Sequence, residues 1–194
     1  MANESEFIAQ LISETDRDKA FNKLIDLYQV RLYWHIRKLV ITHENADDVL
    51  QNTFIRVYKG LSKFSGQSAL YTWMYKIAYN ESIRFIEQNK NKQSISIEDV
   101  SDKYLNSLLE DSFFEGEALQ LKLQTVLSGL NYKQRQIFNM KYYDDLKFHE
   151  MATILEMKES TIKTIYYNAV KFIESNIETL DLKNDVIILN TTHS

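Results

Sequence analysis

The 194 residues include no proline and only four glycines. Those two residue types interrupt helices and supply the tight turns between strands. A chain that uses them so sparingly suits helices joined by short polar turns and argues against a many-stranded β fold. An all-α protein is predicted. The absence of cysteine removes disulfide frameworks and thiolate metal sites. With 44% hydrophobic and 26% charged residues, the composition is that of a soluble globular protein, and no apolar run approaches membrane-spanning length. The N-terminal stretch as far as Lys19 is acidic and amphipathic, without the basic-then-apolar layout of a secretion signal. A cytoplasmic protein with no direct membrane insertion is expected.

The length fits one large domain or two small ones. The formal net charge of −4 is spread unevenly. Residues 1–93 carry 13 basic and 11 acidic side chains, residues 94–129 two and seven, residues 130–174 seven and six, and the remainder one and three. Two near-neutral to weakly basic lobes therefore flank an acidic stretch, and the overall charge says little about either lobe. The predicted organisation is two small helical domains, over 1–93 and 118–177, joined by an acidic linker over 94–117. The linker has only a weak helical pattern, at Tyr104, Leu105, Leu108 and Leu109. A tail over 178–194, with a short Val186-Ile187-Ile188-Leu189 run, has no role the sequence assigns.

In the first lobe, Phe21, Leu24, Ile25, Leu27, Tyr28, Leu32 and Ile36 keep helical spacing. The polar run Thr42-His43-Glu44-Asn45 suits a turn and helix cap. From about Asn45 to Leu61, the residues Ala46, Val49, Leu50, Thr53, Phe54, Val57, Tyr58 and Leu61 form one buried stripe of a helix. A second face carries Asp48, Gln51, Asn52 and Ile55. An apolar anchor among polar groups is the composition of a protein-docking surface, although a solvated face with one stray Ile has the same pattern.

Between Lys63 and Asn80 come five aromatic residues, Phe64, Tyr71, Trp73, Tyr75 and Tyr79, interleaved with Ser65, Ser68, Thr72 and Lys76. Tyr and Trp suit places where one end of a ring is buried and the other stays wet. Rings mixed with cations and hydrogen-bonding groups make a surface on which unpaired bases can stack. The alternative is an aromatic-rich helix packing on its neighbours.

Lys147 to Ile173 fits a helix-turn-helix. Ala152 supplies the small residue needed where two helices cross. Met151 and Leu155 lie on the inner face of the first helix, Met157 follows the turn, and Ile162 and Tyr166 anchor the second. Glu156 stands at the turn position usually taken by Gly, so it must accept a left-handed backbone at a cost of roughly 1 kcal/mol. Recognition helices put N-terminal, outward residues into the major groove. Here these are Lys158, Ser160, Thr161, Lys163, Thr164 and Tyr167, with Lys171 placed for a phosphate. A plain helical hairpin is the other reading.

Enzyme chemistry finds no footing. The four histidines are scattered, with no HExxH and no thiols, so no metal site or cofactor is expected. A Gly-rich phosphate loop is absent. Asp47/Asp48 and Asp144/Asp145 are sequence neighbours, which point in different directions on a helix and make no acid/base pair.

The order of these segments resembles the extracytoplasmic-function sigma factors of bacterial RNA polymerase, built from a region-two and a region-four domain. The resemblance covers roughly residues 21–92 and 118–177. Asn45 through Phe54 is similar to the family's clamp-docking helix, with Asp48, Gln51 and Phe54 matching and Asn52 standing where an acid is common. Phe64-Ser65-Gly66 followed by Thr72 through Asn80 is similar to the promoter-melting and −10 recognition segment. Leu146 through Lys171 is similar to the −35-reading motif, most clearly at Thr161-Ile162-Lys163.

The resemblance implies a sigma factor that binds core RNA polymerase through its clamp and flap regions, reads the −35 duplex and captures melted −10 bases. Its core-binding residues would be Asp48, Gln51, Asn52, Ile55 and Arg56. Its −10 residues would be Lys63, Ser68, Tyr71, Thr72, Trp73, Tyr75, Lys76 and Asn80. The outward residues of the helix-turn-helix would read −35, and an anti-sigma factor is an implied partner. Phe64 and Met74 are assigned to the core. Ile165, Asn168 and Val170 stand where the family commonly has arginine, so weak DNA binding by the isolated protein is expected. Two other readings share the motifs: a helix-turn-helix regulator that binds duplex without polymerase, and a sigma-shaped protein that occupies polymerase without initiating.

Overall fold

A computed structural model of the chain describes residues 4–40, 42–93, 123 and 125–191, with side chains followed to residue 89 in the first part and 177 in the second. The linker pattern at Tyr104, Leu105, Leu108 and Leu109 lies outside these residues. Among the described residues the regular structure is helical and no strand occurs. The chain forms two compact units.

The first unit contains α1 (Glu4–Ile12), α2 (Arg17–Val40), α3 (His43–Gly60) and α4 (Leu70–Gln93), with a 3-10 turn at Leu61–Lys63. Helices α2, α3 and α4 pack on one another, and α1 lies on α2. Helix α3 starts where the sequence predicts a cap: the Thr42 side chain accepts the Asn45 N–H at 3.2 Å. That bond satisfies one of the donors a helix leaves unpaired at its start. The predicted stripe is buried at Ala46, Val49, Thr53, Phe54, Val57 and Leu61, with Leu50 and Tyr58 half-buried at its margin. The buried Thr53 hydroxyl donates to the Val49 carbonyl at 2.7 Å, so no polar group is stranded there.

Leu70, Met74 and Ala78 are the inward face of α4, and Ser82 continues it with its hydroxyl bonded to the Ala78 carbonyl at 2.9 Å. The start of α4 is held from a distance, because the Glu4 carboxylate accepts the Leu70 N–H at 3.1 Å. A carboxylate at a helix N-terminus meets both unpaired N–H groups and the positive end of the dipole. Leu27, one of the apolar residues at helical spacing in α2, is exposed together with Val30 and Trp34. The 24-residue helix buries Leu24, Leu32, Ile36, Leu39 and Val40, and a stripe set by those residues leaves 27, 30 and 34 on the other side.

The second unit has helical residues 125–128, then α5 (Tyr132–Tyr142), α6 (Phe148–Leu155) and α7 (Glu159–Thr191). Its core cluster joins Val126, Leu127, Leu130, Phe138, Ala169 and Ile173. Each fully buried Leu, Val or Ile contributes roughly 1.5–3 kcal/mol by leaving water. Asn131 and Gln134 cap α5 reciprocally, side chain to backbone in both directions, at 3.0 and 3.2 Å. The tail segment set apart at 178 in the sequence continues α7 to Thr191.

Glu156 ends α6 in the left-handed region, with φ 54° and ψ 41°, and the following Met157 N–H reaches the Ala152 carbonyl at 3.1 Å. Glycine takes this conformation without steric conflict at Cβ. Glu156→Gly is therefore expected to stabilise the second unit by about 1 kcal/mol. A thermal melt that shifts upward by a few degrees checks this; an unchanged or lower midpoint contradicts it.

Candidate nucleic-acid interface

The outer face of α3 is formed as expected. Asp48, Gln51 and Asn52 are exposed, and Ile55 is 46% exposed in their midst. Arg56 has a different commitment: its Nε lies 2.6 Å from Glu81 Oε1, and the Arg84 guanidinium meets the same oxygen at 2.6 Å. The Glu81 side chain is largely buried. Two arginines thus clamp one carboxylate between α3 and α4, and Arg56 fastens the helices together.

The aromatic stretch divides into two kinds of residue. Tyr75 is 0% exposed, with its ring centroid 3.8 Å from that of His35 on α2. Thr72 is 2% exposed. Both were expected at the −10 surface, and both are core residues in this structure. The reason is steric: α4 packs on both α2 and α3, so a helix with rings on more than one face must bury some of them. Tyr71 is half-buried, stacked on Tyr28 at 5.6 Å with Arg31 over its face at 4.4 Å and Tyr75 edge-on at 5.3 Å. Trp73 is half-buried against Phe64, with centroids 5.0 Å apart. A Cβ on Gly60 would lie 3.0 Å from Trp73 Cζ2, so α3 ends on a residue that lets the indole approach its backbone.

Lys63 and Asn80 are exposed; Ser68 and Lys76 are half-buried. Met74 is buried as assigned, while Phe64 stays half-buried. Sequence reasoning missed Tyr28, Arg31 and His35 as the partners of these rings. The signal was present, since Tyr28 and His35 stand seven residues apart and share one face of α2.

All seven residues assigned to −35 reading are exposed on or just before α7: Lys158, Ser160, Thr161, Lys163, Thr164, Tyr167 and Lys171. Met151 and Ile162 are fully buried, whereas Ala152 and Leu155 are only half-buried. The Lys163 ammonium pairs with Glu159 Oε1 at 2.6 Å and sits 5.7 Å from the centre of the Phe148 ring. The hydrogen bond from Lys163 holds the Glu159 carboxyl below its ordinary pKa. A lowered folded-state pKa gives a pairing present at neutral pH and lost as pH falls through that value. The Thr164 hydroxyl donates to the Ser160 carbonyl at 3.0 Å. Tyr167 is 56% exposed, and its ring completes a three-ring cluster with Phe148 and Tyr166, at 6.2 and 5.5 Å from them while they lie 5.4 Å apart.

Among the described residues no group of His, Asp or Glu could hold a metal ion, and no helix is long and apolar enough to cross a membrane. What the first unit offers is an exposed polar face with Ile55 in it and a partly exposed aromatic cluster. The second offers a helix-turn-helix with an exposed outer face on α7.

Comparison with known proteins matches this division. The family model Sigma-70 region 2 matches residues 24–92, and Sigma-70, region 4 matches residues 120–173. The ECF RNA polymerase sigma-E factor of Haemophilus influenzae is 25% identical over 181 residues, covering 89% of this chain and 95% of the relative. The protein of the same name from Escherichia coli is 27% identical over 170 residues, covering 84% and 88%. Among solved structures, CnrH in complex with the cytosolic domain of CnrY has a TM-score of 0.64 at 16% identity, over 91% of this chain and 97% of that one. The sigma factor RpoE in complex with the anti-sigma factor NepR from Bartonella quintana has a TM-score of 0.62 at 17% identity, over 82% and 98%. These two structures support the fold, and the region models together with the sigma-E relatives support the family. The chain belongs to the extracytoplasmic-function sigma factors of bacterial RNA polymerase.

Proposed function

We propose that this sigma factor docks on the clamp of core RNA polymerase through Asp48, Gln51, Asn52 and Ile55, reads the −35 duplex with the outward face of α7, and holds melted −10 bases against Trp73. Lys63, Lys76, Ser68 and Asn80 line the same segment and contribute charge and edge contacts, while Tyr71, held by Tyr28 and Arg31, supports the cluster from beneath. Stacking is worth about 1–3 kcal/mol per base, comparable to the few kcal/mol needed to take a base out of the duplex. Capturing several bases therefore offsets melting without nucleotide hydrolysis. The protein has no catalytic chemistry of its own in this scheme and works in the cytoplasm, where an anti-sigma factor is its natural antagonist.

The observation that carries the reading is the open face of α7 behind the left-handed Glu156 turn, on the same chain as the exposed α3 docking face. In vitro transcription with core polymerase and a mixed promoter pool tests it. Co-elution with core and a defined start site are expected. Binding of promoter duplex in the absence of core, with no start site in its presence, would instead identify a regulator. Trp73→Ala is expected to leave core binding intact and lower open-complex yield about tenfold or more, the loss of one stacked base. Equal open-complex yield would remove Trp73 from the melting step.

A further inference from the structure

Guanine is most often read by an arginine or lysine reaching its O6 and N7 together. The first three turns of α7 contain no arginine. Their one lysine, Lys163, is drawn back along the helix to Glu159 at 2.6 Å and leans towards Phe148. Lys158 precedes the helix and Lys171 lies beyond these turns, and what the face between them offers at 161, 164 and 167 is largely apolar surface. Thr164 has its hydroxyl bonded to the Ser160 carbonyl, which leaves its methyl group for a base. Thr161 brings a second methyl one turn earlier. Tyr167 adds an exposed ring that rests against both Phe148 and Tyr166, contacts that limit the side-chain freedom lost when it meets DNA.

Residues three apart rise about 4.5 Å along a helix, so 161, 164 and 167 form a strip about 9 Å long. That length faces roughly two to three consecutive base pairs in a major groove. The only methyl group on the major-groove edge of the four base pairs is that of thymine, where cytosine has just a hydrogen.

The geometry points to Thr161, Thr164 and Tyr167 as an apolar strip that reads thymine 5-methyl groups in the −35 duplex, making A·T pairs rather than guanine the specificity-determining feature. Exposed Asn168, beside Tyr167, is of the type that pairs with adenine N6 and N7 and suits the same sequence class. This inference rests on the assignment of α7 to the −35 duplex.

The test uses holoenzyme assembled from core polymerase and the full-length protein. Duplexes randomised across the −35 segment are selected for binding, and the best is resynthesised with deoxyuridine replacing each thymine in turn. Deoxyuridine removes the 5-methyl and keeps every hydrogen-bonding group. Each methyl that lies against the strip should carry about a fourfold loss of affinity at fixed salt. Thr164→Ser, which deletes the methyl and keeps the hydroxyl, should show that loss on one thymine duplex and none on its deoxyuridine counterpart.

Selection of a guanine-dominated −35 segment overturns the inference. So do deoxyuridine duplexes that bind as well as thymine ones while Thr161→Ala, Thr164→Ala and Tyr167→Ala still weaken binding; in that case α7 reads the duplex by other contacts. If the alanine variants change neither affinity nor selected sequence, the assignment of α7 to −35 fails with it.

Discussion

Tyr75→Ala is expected to cost the first unit about 3–5 kcal/mol, the usual penalty for removing a buried aromatic ring. The ring is wholly enclosed, set against His35 at 3.8 Å and Tyr71 at 5.3 Å, so its removal leaves a cavity in the core. Domains of this size are stable by only about 5–15 kcal/mol. A loss near 4 kcal/mol should lower the unit's melting temperature by roughly 15–30 °C. Calorimetry of the full-length protein reads this directly. Tyr75→Phe keeps the ring and should show only a small fraction of the loss. If Tyr75→Ala melts like the wild type and fails only in open-complex formation, Tyr75 belongs to the base-stacking surface and its burial is not its role.

That contrast marks where sequence ceases to be informative. Helix α3 was legible because its signals are local: one stripe at spacings of three and four, and a Thr cap just before it. The left-handed Glu156 was legible because the helix-turn-helix pattern demands that conformation at one position. Helix α4 was harder, since rings occur at 71, 73, 75 and 79 and periodicity cannot choose which of them faces inward. The choice is made by the Tyr28 and His35 side chains of α2, some forty residues earlier in the chain.

Arg56 shows the same limit for charge. On α3 alone it extends the exposed polar face, and only the fold brings Glu81 to it. Leu27 fell on a plausible helical stripe, yet the neighbours of α2 cover a different one. The extension of α7 to Thr191 had a readable cause that composition supplies: neither proline nor glycine follows residue 129 to stop it.

The α3 face gives the sharpest functional expectation, because its residues contribute little to the fold. Ile55 is 46% exposed and stands among Asp48, Gln51 and Asn52, so replacing it should change stability by no more than about 0.5 kcal/mol. At an interface the same residue is a central apolar anchor within a polar rim, the place where binding energy concentrates. Ile55→Arg puts an unpaired charge where the partner must exclude water. A penalty of about 2 kcal/mol or more is expected, equivalent to roughly a 30-fold loss of affinity for core polymerase. Titration of labelled protein with core measures it, with a melting curve of the same variant alongside. Unchanged affinity at unchanged stability would move the docking site off this face. The exposed strip of Leu27, Val30 and Trp34 on α2 would then be the next surface to mutate.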